Sequence, residues 1–114
     1  MVPQNPGASV DNISRILAVR MSEELGQQIV ADNRAGAGGN IGADLCAKSP
    51  PDGYTICMMT VAQAISPAIY RKLGFDPIRD FAPVSVLGVS HMVVAVHPTI
   101  AQSLPELVKR IKVI

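Results

Sequence analysis

The sequence predicts an α/β fold in which helices cover both faces of a mostly parallel sheet. Along the 114 residues, segments with helical periodicity alternate with short apolar segments, and Gly- and Pro-rich turns separate them. The segment 54–60 is apolar almost without interruption, which is typical of a central strand covered on both faces. Helices alternating with strands in this way favour parallel pairing.

The first predicted element is an amphipathic helix in which apolar residues recur at helical spacing, namely Ile13, Ile16, Leu17, Met21 and Leu25. Ser9 or Asp11 is expected to cap its first turn, and Gly26 to close it in the left-handed conformation. Only Met1 and Val2 precede Pro3. Because a strand normally comes before the first helix of such a fold, the sheet is expected to lack its first strand.

The middle of the chain continues the alternation. A short strand is predicted at 28–31, and a short helix begins at Asn40 and ends before Pro50. The small residues of this helix predict close packing against a neighbour. A further helix is predicted at 62–70 despite the proline at position 67.

The last third contains two more strand candidates, at 84–89 and Met92 to Val96. A final helix is predicted after Ser103, whose spacing to Glu106 is that of a capping box, and it is expected to run to Ile114.

Composition and charge exclude several classes of function. Ten Lys and Arg residues oppose nine Asp and Glu residues and are not clustered, so neither a nucleic-acid interface nor a polybasic membrane anchor is expected. The longest apolar runs, Ile56 to Met59 and Met92 to Val96, are far shorter than the ~20 residues that cross a bilayer. The opening residues also lack the basic and apolar regions of a secretory signal.

The two cysteines, Cys46 and Cys57, are too few to form a zinc site. We interpret them as small buried apolar side chains, and a disulfide between them is the alternative.

The glycine-rich turn from Gly36 to Gly42 allows three interpretations. Its glycines and its place before a helix are typical of a dinucleotide-binding turn, but the next strand ends at Met58-Met59-Thr60 without the acidic residue that would hold a ribose. The glycines could instead allow close helix packing, or expose N–H groups that bind a smaller anion.

Catalytic patterns are weak. His91 and His97 have no carboxylate partner at a recognisable spacing, and Cys57 lies in an apolar run where burial makes a thiol a poor nucleophile. We therefore predict no catalytic residue, no metal and no cofactor, and favour a binding protein over an enzyme. The loop Pro6 to Asp11 enters the first helix as the glycine turn enters the second, so both helix N-termini could converge on one carboxylate.

Four motifs carry a family resemblance: Pro6-Gly7-Ala8-Ser9-Val10-Asp11, Asp32 to Gly42, Pro51-Asp52-Gly53-Tyr54-Thr55, and Asp80-Phe81-Ala82-Pro83-Val84. Their order and spacing resemble the Bug family, the extracytoplasmic solute receptors of tripartite tricarboxylate transporters. The resemblance implies a periplasmic location, and a lobe of the type II periplasmic binding protein fold. Such a receptor closes two lobes on a small carboxylate and hands it to membrane permease subunits.

On this resemblance, residues 1–96 correspond to the first lobe and 97–114 to the start of the second. The fold is expected to be incomplete, as in an N-terminal-lobe fragment. The residues implied at the ligand lie in three segments: Pro6, Gly7, Ala8, Ser9 and Asp11; Gly38 and Gly39; and Thr60, Val61 and Ala62.

We expect the isolated chain to bind a tricarboxylate, dicarboxylate or amino acid weakly or not at all, because lobe closure would bury the anion. The open sheet edge predicts self-association through strand pairing. Two alternatives remain: a nucleotide-using α/β enzyme built on the Gly36 to Gly42 turn, and a truncated gene product without independent function.

Overall fold

The computed structural model describes residues 1–91 and 93–111. Within them lie four α-helices, α1 (Ser9–Leu25), α2 (Asn40–Ala47), α3 (Val61–Ile69) and α4 (Leu104–Ile111), and a 3₁₀ turn at Ala37–Gly39. The predicted strand from Met92 and the predicted helix end at Ile114 each include residues outside the described ranges. No helix of the described residues is both long and apolar enough to cross a membrane.

The chain divides into two compact units, Met1–Pro83 and Val84–Ile114. The first contains α1, α2 and α3, and the second contains α4. The lobe boundary expected between residues 96 and 97 stays a prediction.

Helix α1 ends as predicted but begins differently. Gly26 adopts the left-handed conformation with φ 63° and closes the helix. Ala8 is the N-cap, and no side chain caps the first turn, so the predicted capping by Ser9 or Asp11 is wrong. Asp11 does not cap the first turn because its carboxylate accepts from the N–H of Gly7, which precedes the helix.

Helix α2 packs closely, as its small residues predict. A Cβ at Gly42 would lie 2.7 Å from the carbonyl oxygen of Arg34 and 3.0 Å from the Cα of Pro3. These contacts allow no side chain at position 42, so α2 approaches the backbone of two other segments directly.

Helix α3 begins at Val61 and accommodates Pro67. Thr60 and Gln63 form a complete capping box at its start. In the second unit, Ser103 Oγ accepts from the N–H of Glu106 at 3.4 Å, so half of the predicted box at α4 forms.

The predicted sheet does not form among the described residues. An isolated parallel bridge joins Val2 and Asn33, and no strand is present at 28–31, 54–60 or 84–89. Met1 forms backbone hydrogen bonds with a third segment. Its carbonyl accepts from the N–H of Met58 at 3.0 Å, and its amino group donates to the carbonyl of Ile56. The pairing does not extend past Val2, because the next residue, Pro3, has no N–H to donate.

The expectation that 54–60 is covered on both faces is also wrong. Tyr54 is 92% exposed, and Ile56 and Met59 are exposed as well. No helix or strand packs over these side chains in the described chain, so the apolar run lacks the layers that would bury it. The buried side chains are instead divided equally between polar and apolar residues. The polar ones are Asp11, Ser14, Asn40, Gln63 and Ser66, and the apolar ones are Val2, Pro3, Ala43, Phe75 and Ala101.

Cys46 and Cys57 form a disulfide, with their Cα atoms 6.4 Å apart. The interpretation as buried free thiols is therefore wrong. Both residues are half-buried, and the bond connects the C-terminal turn of α2 to the segment 54–60.

Candidate functional site

Three loops leave the paired backbone segments at the same end and each leads into a helix. Val2 donates to the carbonyl of Asp32 at 2.8 Å and accepts from the N–H of Arg34 at 2.8 Å, which makes the pairing parallel. The Met1 bonds to the 56–58 segment follow the same pattern. Parallel segments end at one edge, so the loops before α1, α2 and α3 start side by side there.

The loop before α1 is held by the buried carboxylate of Asp11, which is 1% exposed. Its Oδ2 accepts from the N–H of Gly7 at 2.7 Å and from Nε of Arg15 at 3.0 Å. Its Oδ1 accepts from Nδ2 of Asn33 at 2.9 Å. Asn33 also donates to the carbonyl of Gln4 at 3.0 Å and accepts from Nη2 of Arg15 at 2.9 Å, which closes the network.

These donors lower the pKa of Asp11 to about 2. The largest cause is the hydrogen bond from Arg15, followed by those from Gly7 and Asn33. The carboxylate is therefore ionised at neutral pH, and its charge is neutralised within the chain. Both oxygens of Asp11 are engaged by protein donors, so its geometry suits holding the loop rather than touching an anion.

The glycine turn and the start of α3 are tied together by Gln63. Its Nε2 donates to the carbonyl of Gly38 at 2.9 Å, while its Oε1 accepts from the N–H and the hydroxyl of Thr60 at 2.9 and 2.8 Å. A Cβ at Gly39 would overlap Nε2 of Gln63 and lie 3.0 Å from the carbonyl oxygen of Pro3. The turn thus contacts both other loops.

The predicted site residues divide into two groups. Gly38 and Gly39 lie against Gln63, in the first turn of α3. The loop 6–9 is held separately, by Asp11 and Asn33 through Gly7 and Gln4. Within this loop, Gly7 has a φ of 82°, in the left-handed region that favours glycine. Ala8 has a φ of −69°, which an alanine adopts without steric conflict at its Cβ.

In the glycine turn, Gly39 and Gly42 lie too close to neighbouring segments for a side chain. Both positions lie against neighbouring backbone or side-chain atoms, which confirms that close packing requires them to be glycine. Gly39 also has φ 92°, a second reason for glycine at that position.

Arg15, Asn33 and Gln63 hold the loops of the site but are not among the residues predicted from the sequence. For Gln63 a signal existed, because Thr60 and Gln63 have the spacing of a capping box. The pairing of Asn33 with Asp11 spans 22 residues and leaves no local pattern.

No group of three or more metal-ligating side chains lies among residues 1–91 and 93–111. His97 Nδ1 forms a hydrogen bond with Oγ1 of Thr99 at 2.8 Å.

Comparison with known proteins gives a family and several relatives. The family described as "Tripartite tricarboxylate transporter family receptor" matches residues 13–114. The chain is similar to a UPF0065 protein from the tcbD-tcbE intergenic region of Pseudomonas sp. (strain P51), with 48% identity over 74% of this chain and 25% of the relative. It is 38% identical to Protein BugT of Bordetella pertussis, over 86% of this chain and 31% of BugT. The chain thus spans about a quarter to a third of the length of these curated relatives.

The chain also resembles solved structures. "Structure of a periplasmic transporter" superposes with a TM-score of 0.66 and 49% identity, covering 68% of this chain and 27% of that one. "R. palustris Rpa4515 with adipate" gives 0.63 and 42%, covering 67% of this chain and 26% of that one.

Proposed function

Because the chain belongs to the tripartite tricarboxylate transporter receptor family, we propose that it is part of a periplasmic receptor that binds a small carboxylate. BugT among its relatives confirms the resemblance to the Bug family. The family is one of transport receptors and not of enzymes, so the nucleotide-using enzyme is not favoured. In this proposal the receptor delivers its ligand to membrane permease subunits.

The observation that carries the proposal is the junction of three loops at one edge of the parallel segments. Each loop precedes a helix, and helix N-termini present N–H groups and partial positive charge to an anion. We assign the ligand to the residues named above: Pro6, Gly7, Ala8, Ser9, Gly38, Gly39, Thr60, Val61 and Ala62. Asp11 belongs to the site as the residue that shapes the first loop.

The ligand class is supported by one neighbour, which was solved with adipate. We propose a tricarboxylate, a dicarboxylate or an amino acid for this chain, bound by a lobe of the type II periplasmic binding protein kind. Residues 1–96 would form the first lobe and 97–114 would begin the second.

The disulfide supports the proposed periplasmic location. Disulfides persist in oxidising compartments such as the bacterial periplasm and are rare in the cytosol.

Nuclear magnetic resonance tests the proposal directly, because it detects weak binding residue by residue. Titration with adipate is expected to shift the amide signals of the three loops saturably, at millimolar concentrations. Hexane-1,6-diol, which has the same length without carboxylates, is the matched control and should shift none of them. Adipate shifts confined to other residues, or saturable shifts with NAD or ATP, would contradict the proposal.

A further inference from the structure

Gln63 is among the most deeply buried polar side chains of the described chain, with 1% of its surface exposed. A buried amide must place its hydrogen bonds on protein partners, and Gln63 uses both ends of its side chain to do so. Its oxygen accepts from Thr60, and its nitrogen donates to the carbonyl of Gly38. The amide therefore has one partner on each of two different loops.

The two bonds differ in what they stabilise. The bonds to Thr60 belong to the capping box and fix the first turn of α3. The 2.9 Å bond to Gly38 crosses 25 residues of sequence and holds the glycine turn. Capping alone would not require this second bond, because a glutamate forms the same box.

Packing restricts the turn further at the neighbouring glycine. Gly39 is buried against Gln63 and Pro3, with no space for a Cβ between them. The backbone of Gly39 therefore lies directly against the Gln63 amide on one side and against Pro3, at the start of the loop before α1, on the other.

We propose that Gln63 is a positioning residue of the carboxylate site, whose buried amide holds the Gly38–Gly39 turn at a fixed distance from the start of α3. This inference rests on the proposed function. A turn that is already in its binding geometry does not have to be ordered when the ligand binds. If the bond to Gly38 is lost, a smaller fraction of chains has that geometry, and the affinity falls by the same factor.

Two variants separate this role from capping and from charge. Gln63→Glu keeps the acceptor for Thr60, but turns a second acceptor oxygen towards the Gly38 carbonyl and so breaks that bond. Gln63→Met removes both bonds without adding charge. Gln28→Glu makes the same charge change at an exposed position and is the matched control.

Two measurements on the full chain decide the matter: amide hydrogen exchange without ligand, and adipate titration followed by amide shifts. Both Gln63 variants are expected to speed exchange at Gly39, whose N–H donates to the carbonyl of Gly36 at 2.9 Å, and to raise the adipate Kd about tenfold, the value of one lost hydrogen bond. Gln63→Glu should keep the exchange protection of α3, and Gln28→Glu should behave as the wild type in both measurements.

Unchanged exchange at the turn in Gln63→Glu would overturn the positioning role, and so would a loosened turn with unchanged adipate affinity. Weakened binding in Gln63→Glu alone, with wild-type affinity in Gln63→Met, would show charge repulsion and overturn it as well. Wild-type adipate shifts confined to residues outside the three loops would instead refute the proposed function, and the role of Gln63 in binding with it. The exchange data are independent of ligand and distinguish the two failures.

Discussion

Asp11 makes the stability of the first unit depend on pH. Its pKa falls from 3.8 to about 2 in the folded chain, so the ionised carboxylate stabilises the fold above the unfolded value. This contribution is complete above about pH 5 and is lost as the pH falls from about 4 towards 2. Protonation removes the charge that Arg15 and the N–H donors stabilise.

The comparison of Asp11→Asn with the wild type measures this dependence. Urea unfolding is expected to show the variant less stable at pH 7, with the difference shrinking as the pH approaches 2. Glu24→Gln, at an exposed position on the same helix, should show no such trend. A difference between Asp11→Asn and the wild type that is constant with pH would contradict the assignment.

Gly42 provides a second prediction at the scale of one residue. Alanine favours a helix over glycine by about 1 kcal/mol, so propensity alone predicts that Gly42→Ala stabilises α2. The Cβ would, however, meet the backbone of Arg34 at 2.7 Å, and we expect the overpacking to cost about 1–3 kcal/mol and outweigh that gain. Denaturant unfolding of Gly42→Ala should therefore show lower stability. Gly88→Ala, where nothing lies within 4 Å, is the control and should not be destabilised.

At the scale of elements, the disulfide fixes α2 to the segment 54–60. Closing a loop of this length, with the cysteines 11 residues apart, stabilises a fold by about 2–3 kcal/mol through the unfolded state. Thermal unfolding with and without reductant should show that loss on reduction. A Cys46→Ala/Cys57→Ala variant should be as unstable as the reduced chain and insensitive to reductant. Equal stability of the oxidised and reduced chains would show that the loop closure contributes nothing.

The elements differ in how far the sequence predicts them. Helices α1 and α3 are encoded locally: periodicity and Gly26 define α1, and Thr60 with Gln63 defines the start of α3. The strands were predicted from apolar runs, but a strand exists only with a neighbour to pair, and Val2 pairs with Asn33 alone. An apolar run indicates burial without specifying the partner.

The site follows the same rule. Glycine spacing predicted where the chain turns and packs closely, and the structure confirms this at Gly39 and Gly42. The side chains that join the loops, Asp11 with Asn33 and Gln63 with Gly38, lie 22 and 25 residues apart and depend on tertiary folding.

For the whole molecule, exposed apolar side chains predict self-association. On α1, Ile16 is 70% and Val19 59% exposed, and Val84, Val86 and Val89 of the second unit are exposed as well. Patches of this kind associate with one another in water. Light scattering should show a mass that rises with concentration, and Ile16→Lys with Val19→Lys should reduce it. Glu24→Lys, which adds positive charge at an exposed position of the same helix, is the control. A clean monomer at high concentration would refute this prediction.

The high share of polar side chains among the buried residues has a thermodynamic consequence. Exposing apolar surface raises the heat capacity on unfolding, whereas exposing polar surface lowers it. With Asp11, Ser14, Asn40, Gln63 and Ser66 making up half of the buried side chains, unfolding should change the heat capacity by less than the usual ~12–15 cal/mol/K per residue. A smaller heat-capacity change flattens the dependence of the unfolding free energy on temperature, so we expect the stability of this chain to vary little between cold and warm conditions.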